Sequence, residues 1–178
     1  MPYAIAHILI TIIILDLIRD HWIKNKKKFP LYYVLIGGIA GLLPDLDVAI
    51  YYILGFFGFT LQQVHRTFTH NLFFLAVFVI LGLIFNKYHN KELGKHHLKL
   101  GMIFFVISFG IFTHLALDAT ISGNIKPLYP LSQFTINFGL LYYFPGHLQS
   151  TIIQSIEAII LILWLAHEGL KHKISDFI

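Results

Sequence analysis

Apolar positions in this chain fall into long blocks. They do not follow the short alternation of strands or the one-faced stripe of soluble helices. Five blocks can be marked, at 3–18, 31–59, 71–85, 100–119 and 151–166. A helix needs roughly 20 apolar residues to cross a bilayer, about 17–25 being usual. The first, third and fifth blocks are slightly short and must take in flanking residues. The second is long and is interrupted by Pro44, Asp45 and Asp47. A tilted, kinked or discontinuous helix is expected there, because freed backbone is tolerated at membrane depth where it lines a protein cavity. The pattern predicts an all-α, polytopic integral membrane protein with about five transmembrane helices and a kinked or broken second span. It forms one domain over 1–178, without internal repeats or low-complexity segments.

Composition sharpens this picture. Of the 178 residues 57% are hydrophobic and 12% are charged, about half the ~25% charge of a soluble domain. There is no cysteine. Disulfides and thiolate ligands are therefore excluded, and any metal must be held by His and carboxylates. The net charge of +4 alone is compatible with nucleic-acid binding, but the lysines sit in short clusters between apolar blocks. The charge is read instead as membrane topology, and no nucleic-acid partner is expected. The clusters are Arg19, Lys24, Lys26, Lys27 and Lys28; Lys87, Lys91, Lys95 and Lys99; and Lys171 with Lys173. The positive-inside rule places all three in the cytoplasm. The N-terminus and the loops near 60–70 and 121–149 then lie outside, which five crossings satisfy. The first block has neither a basic leader nor a small-residue cleavage site, so a retained helix is expected.

Polar residues inside membrane spans are costly and are functional candidates by default. His7, Asp45, Asp47, His65, His70, His114, Asp118 and Glu157 stand out. At about 1.5 Å of rise per residue, Asp45 lies roughly 22 Å above the cytoplasmic face, His114 roughly 21 Å, and Asp118 about one turn higher. His7 reaches a similar level from outside, and His65 and His70 lie at the outer start of the third block. Metal-type ligands from separate segments thus share the outer half of the membrane.

Three motifs carry most of them. In Gly41-Leu42-Leu43-Pro44-Asp45-Leu46-Asp47 the proline re-aims the chain, so the carboxylates either enter a cavity or cap a helix. In His65-Arg66-Thr67-Phe68-Thr69-His70 the imidazoles suit zinc, iron, copper or nickel, and Arg66 suits a phosphate or carboxylate. The alternative there is an interfacial loop meeting water and headgroups. In His114-Leu115-Ala116-Leu117-Asp118 the i,i+4 spacing puts both groups on one helix face, as two ligands, as one ligand with its supporting partner, or as a helix staple. Glu157 stands at comparable depth as a ligand, a general base or a structural acid. Asp16, Arg19, Asp20 and His21 read as an ion-paired helix end. His167, Glu168 and His172 fall on the inner side, away from the cluster.

In this order and spacing the motifs, with Pro127-Leu128-Tyr129-Pro130-Leu131-Ser132, resemble the YdjM-type, LexA-regulated, inner-membrane family classed as metal-dependent hydrolases. The likeness covers roughly 1–135. A more distant similarity is to zinc-dependent phospholipase C, whose last ligand helix carries His-x-x-x-Glu. Here Glu157 is present, but Ile153 holds the histidine position, which implies one or two metal ions in place of three.

The resemblance and the residues together lead to the expectation of a membrane-bound metal-dependent hydrolase with a zinc-type site near the outer leaflet. Its ligands are drawn from His7, Asp45, Asp47, His65, His70, His114 and Asp118. Asp47 or Glu157 is the general base, and Arg66 holds the anionic part of the substrate. A lipid phosphoester fits best, with a soluble phosphoester as the other source. The runner-up is a metal-ion or proton transporter using the same cluster. A purely structural set of helix–helix bonds is the third reading.

Overall fold

The computed structural model describes residues 4–88, 92–94, 96–121 and 124–171. Seven helices occupy most of them: α1 (Ala4–His21), α2 (Leu31–Ala40), α3 (Leu46–Leu54), α4 (Leu61–Val64), α5 (Leu72–Tyr88), α6 (Leu100–Ile121) and α7 (Gly146–Lys171). A small antiparallel hairpin, β1 (Glu92–Leu93) with β2 (Leu98–Lys99), lies between α5 and α6. The all-helical reading holds apart from this hairpin.

Among the described residues two helices are long and apolar enough to cross a membrane, over Leu100–Ile121 and Gly146–Gly169. The other apolar blocks give shorter elements. The second breaks as expected: α2 ends after 10 residues, turns carry the chain from Gly41 to Asp45, and α3 follows with 9. Pro44 cannot donate into a continuing helix, and α3 then leaves the bundle to pack on α4.

The centre of the bundle is α6, packed against α1, α2 and α5, while α7 packs on α1. Contacts along the interfaces fix the directions. The Tyr33 hydroxyl accepts from the Lys99 amide at 2.5 Å near one end, and His114 meets Gly41 at the other, so α2 and α6 run parallel. Gly38 lies beside Ile12 and Gly41 beside His7, so α1 is antiparallel to α2. Gly82 faces Phe105 and Gly101 faces Asn86, so α5 is antiparallel to α6.

Backbones approach closely where α2 crosses α6. A Cβ at Gly110 would run into the Gly37 carbonyl and stand 2.8 Å from the Gly41 nitrogen. Small residues at such crossings let helices pack by van der Waals contact when the surroundings are as apolar as the core. Below the crossing, Ile12, Leu15, Tyr33, Val34 and Val106 form one buried cluster. Ile111, Leu115, Ala119 and Ile125 form another between α6 and the following loop. The outward faces of α5 and α7 stay apolar and exposed, with Val77, Ile80 and Leu83 on one and Ile159, Ile162 and Leu163 on the other.

The loop after α6 folds back over the bundle. Ile125 and Ile136 pair as a β-bridge, and the Phe138 amide donates to Ala119 O at 2.8 Å. The Leu72 amide donates to Pro127 O at 2.9 Å, which ties this loop to the start of α5. Asn71 caps that start: its Oδ1 accepts from the Phe74 amide at 2.8 Å, while its Nδ2 donates to Thr67 O and Phe68 O.

Candidate metal centre

Asp45 stands at the N-cap of α3 but makes no side-chain capping bond. Its carboxylate turns toward two buried histidines. Asp45 Oδ1 lies 3.4 Å from His70 Nε2 and 3.6 Å from His114 Nε2. Those two nitrogens are 3.1 Å apart. Asp118, one turn beyond His114 on the same face of α6, puts Oδ2 3.8 Å from each nitrogen. His70, His114 and Asp118 are all essentially inaccessible to solvent, whereas the Asp45 side chain is 31% exposed.

The hydrogen bonds behind the histidines determine what they present. His114 Nδ1 is 2.7 Å from Gly41 O. A carbonyl only accepts, so Nδ1 carries the proton. Thr69 Oγ1 donates to Asp47 Oδ2 at 2.9 Å, and with its one hydrogen spent it faces His70 Nδ1 as an acceptor at 3.1 Å. Asp47 Oδ2 lies 3.2 Å from the same nitrogen. His70 Nδ1 is therefore a donor too. Each neutral imidazole then turns an Nε2 lone pair toward the other, beside two carboxylate oxygens. Four candidate ligand atoms thus converge; Asp45 Oδ1 and Asp118 Oδ1 are buried without a hydrogen-bond partner, and Asp118 Oδ2 is met by the Arg66 guanidinium at 3.1 Å.

Such a group fits a cation. Two ligands on a tetrahedral ion at about 2.0–2.1 Å are separated by about 3.3–3.4 Å, and the observed spacings of 3.1–3.8 Å bracket that value. Buried imidazoles supported by a carbonyl or a carboxylate also match the outer-shell pattern of metal-ligating histidines.

The remaining candidates surround these four. The His7 ring is stacked on His114 with centroids 3.9 Å apart, and its Nε2 lies 3.9 Å from Asp118 Oδ1. His7 also has a ligand atom within 4.8 Å of those of Asp45 and His114, as His65 does for Asp45 and His70. Asp47 is buried at 3% exposure and gathers donors from the 65–70 loop: His65 Nδ1 at 2.8 Å, the Arg66 amide at 2.9 Å and the Thr69 hydroxyl at 2.9 Å. Arg66 reaches inward, with one terminal nitrogen 3.1 Å from Asp118 Oδ2. Glu157 sits apart, its Oε1 accepting from the Ala6 amide in the first turn of α1 at 3.2 Å, one of the donors a helix start leaves unsatisfied.

The structure also gathers residues that the sequence reading set aside. Asp16 on α1 and His167 and Glu168 on α7 have ligand-type atoms within 4.8 Å of one another at the opposite end of the bundle. The parallel run of α1 and α7 brings them together, and sequence distance gives no sign of it.

The YdjM inner membrane protein family matches the chain over residues 1–174. The chain therefore belongs to that family and is a membrane protein. No curated protein and no solved structure matches it.

Proposed function

We propose that this member of the YdjM inner membrane protein family is a membrane-bound metal-dependent hydrolase acting on a phosphoester, with a membrane lipid as the favoured source. The observation that carries the reading is the pair of Nε2 atoms 3.1 Å apart, each ring held by a donor bond from its other nitrogen.

Asp45, His70, His114 and Asp118 would hold a divalent ion, zinc by ligand type, with His7 and His65 placed to complete it or to share a second ion. When bound, such an ion polarises a phosphoryl oxygen and acidifies water. Asp47 keeps His65 and His70 in register. Asp45, the most exposed of the carboxylates around the cluster, would hold the ion through Oδ1, which faces both histidines, and leave its other oxygen as the proton acceptor, since Asp47 and Glu157 both hold backbone donors. Arg66 draws the anionic group of the substrate toward the ion.

The same reading takes α1, the broken second block that begins with α2, α5, α6 and α7 as five crossings, with the basic clusters on the cytoplasmic side and the N-terminus outside. The cluster then lies in the outer half of the membrane, where lipids arrive laterally.

Transport is the weaker alternative. Among the described residues the path below the cluster narrows to Thr11 and Thr113, whose hydroxyls are 2.5 Å apart and also lie on His7 O and Gly110 O. Beneath them lies the apolar cluster of Ile12, Leu15, Val34 and Val106. The deciding experiment is elemental analysis of the purified protein together with a screen of lipid and soluble phosphoesters. A metal-loaded protein that cleaves none of them, yet carries metal across proteoliposomes, would end the hydrolase reading.

A further inference from the structure

Beside the cluster lies a pocket of about 260 Å³ lined by Leu61, His65, Arg66, Thr67, Asn124 and Lys126. Its walls come from two distant segments, the loop before α5 and the loop after α6. The Leu72–Pro127 hydrogen bond and the edge-on contact of Phe68 with Tyr129, centroids 5.5 Å apart, hold those segments together. Two of the lining residues are cations and none is a carboxylate. Lys126 Nζ donates to Gln133 Oε1 at 2.9 Å, which engages one of its three hydrogens. Arg66 Nε is buried without a hydrogen-bond partner. The Arg66 backbone has φ 62, a left-handed conformation uncommon for a side-chain-bearing residue. Its amide bond to Asp47 holds it there. Strain of this kind gathers at ligand clamps, where the surrounding structure over-determines it.

We propose that this pocket is an oxyanion subsite that selects a phosphomonoester dianion over a diester. The inference deepens the hydrolase reading and rests on it for the chemistry, although binding in the pocket needs no metal. A phosphomonoester carries about −1.5 to −2 charges near neutral pH, a diester about one. Lys126, with no carboxylate in the lining, and Arg66, one of whose terminal nitrogens is held by Asp118 behind the pocket, favour the former. Arg66 supplies the guanidinium donors that Asp118 does not engage, Lys126 a point charge, and the Asn124 amide a neutral donor. The pocket is larger than a phosphate, so part of the esterified alcohol enters with it. A lipid ending in a phosphate and a soluble phosphomonoester share this chemistry.

The test uses the full-length protein in nanodiscs, titrated calorimetrically with inorganic phosphate and with dimethyl phosphate. Inorganic phosphate should bind at least about tenfold more tightly, and Lys126→Gln should weaken it by about tenfold, the scale of one charged hydrogen bond. Asn124→Asp, at an exposed position, should weaken it as well, and Lys27→Gln should not. Equal affinity for the two anions, or Lys126→Gln binding phosphate as the wild type does, overturns the subsite. Competition by nanodiscs containing phosphatidic acid identifies a lipid source, and competition by glycerol phosphate a soluble one. Competition by neither also overturns it. Metal content measured on the same samples separates the two ideas. Normal metal with Lys126-independent phosphate binding removes the subsite alone. Absence of metal with Lys126-dependent binding removes the metal reading alone.

Discussion

His114 Nδ1 donates to the carbonyl oxygen of Gly41 at 2.7 Å, joining the middle of α6 to the residue at which α2 ends. One bond thus fixes a ring and a chain break together. The carbonyl is left over by the end of α2, where the last turn lacks helical partners. Through the ring it aims Nε2 at His70.

Gly41→Ala tests this coupling. A Cβ there would stand 2.7 Å from His7 O and 3.1 Å from Thr11 Oγ1, so α1 and α2 would have to separate. A loss of about 1–3 kcal/mol in stability is expected, as for overpacked cores, along with weaker zinc binding. Unfolding in detergent and zinc titration of one preparation measure both. An alanine variant with wild-type stability and affinity would mean that the crossing does not position the ring.

Metal content should follow the inner atoms of the cluster. His70→Ala, His114→Ala and Asp118→Asn are each expected to lose most bound zinc, whereas His147→Ala, at an exposed position, should retain it. Glu157→Gln keeps an acceptor for the Ala6 amide and should retain metal as well. Elemental analysis after gel filtration reads the outcome, and equal retention by all five variants would dissolve the proposed site.

Asp45 and Asp47 are expected to behave differently although two residues apart. Asp45→Asn removes a charge facing both Nε2 atoms and should lower occupancy outright. Asp47→Asn leaves the four inner donors in place and loosens the loop behind them, so zinc affinity should fall about 10–100-fold, the usual range for a supporting partner. Zinc competition with a chelator distinguishes the two, and identical losses would argue against separate roles.

Orientation can be settled by labelling, since the chain has no cysteine of its own. Cysteines at Thr135 and Gln149 should react with an impermeant thiol reagent in intact cells, and one at Lys27 only after permeabilisation. The reverse pattern would turn the protein over in the membrane.

Much of this arrangement was legible from local chemistry. Pro44 announces the break between α2 and α3, and the His114–Asp118 spacing puts both groups on one face whatever packs against it. Other parts depended on non-local geometry. Asp45 and Asp47 are equivalent by composition, and only the path of the chain after Pro44 turns one toward the histidines and the other toward the 65–70 loop. Lys126 reads as a lone loop cation, because its neighbour Arg66 lies on another segment. Length was the weaker guide. The apolar blocks coincide with helices, but among the described residues two helices are both long and apolar enough to cross a membrane, since block length does not show where a helix will stop.

The Tyr33–Lys99 bond near one end of α2 and the Gly41–His114 bond at the other fasten two parallel helices at both ends. With Gly110 seated against Gly37 between them, neither helix can slide or rotate without breaking one of these ties. In the hydrolase reading His114 and Asp118 are therefore carried on a braced strut, while Asp45 hangs from the chain break that follows it.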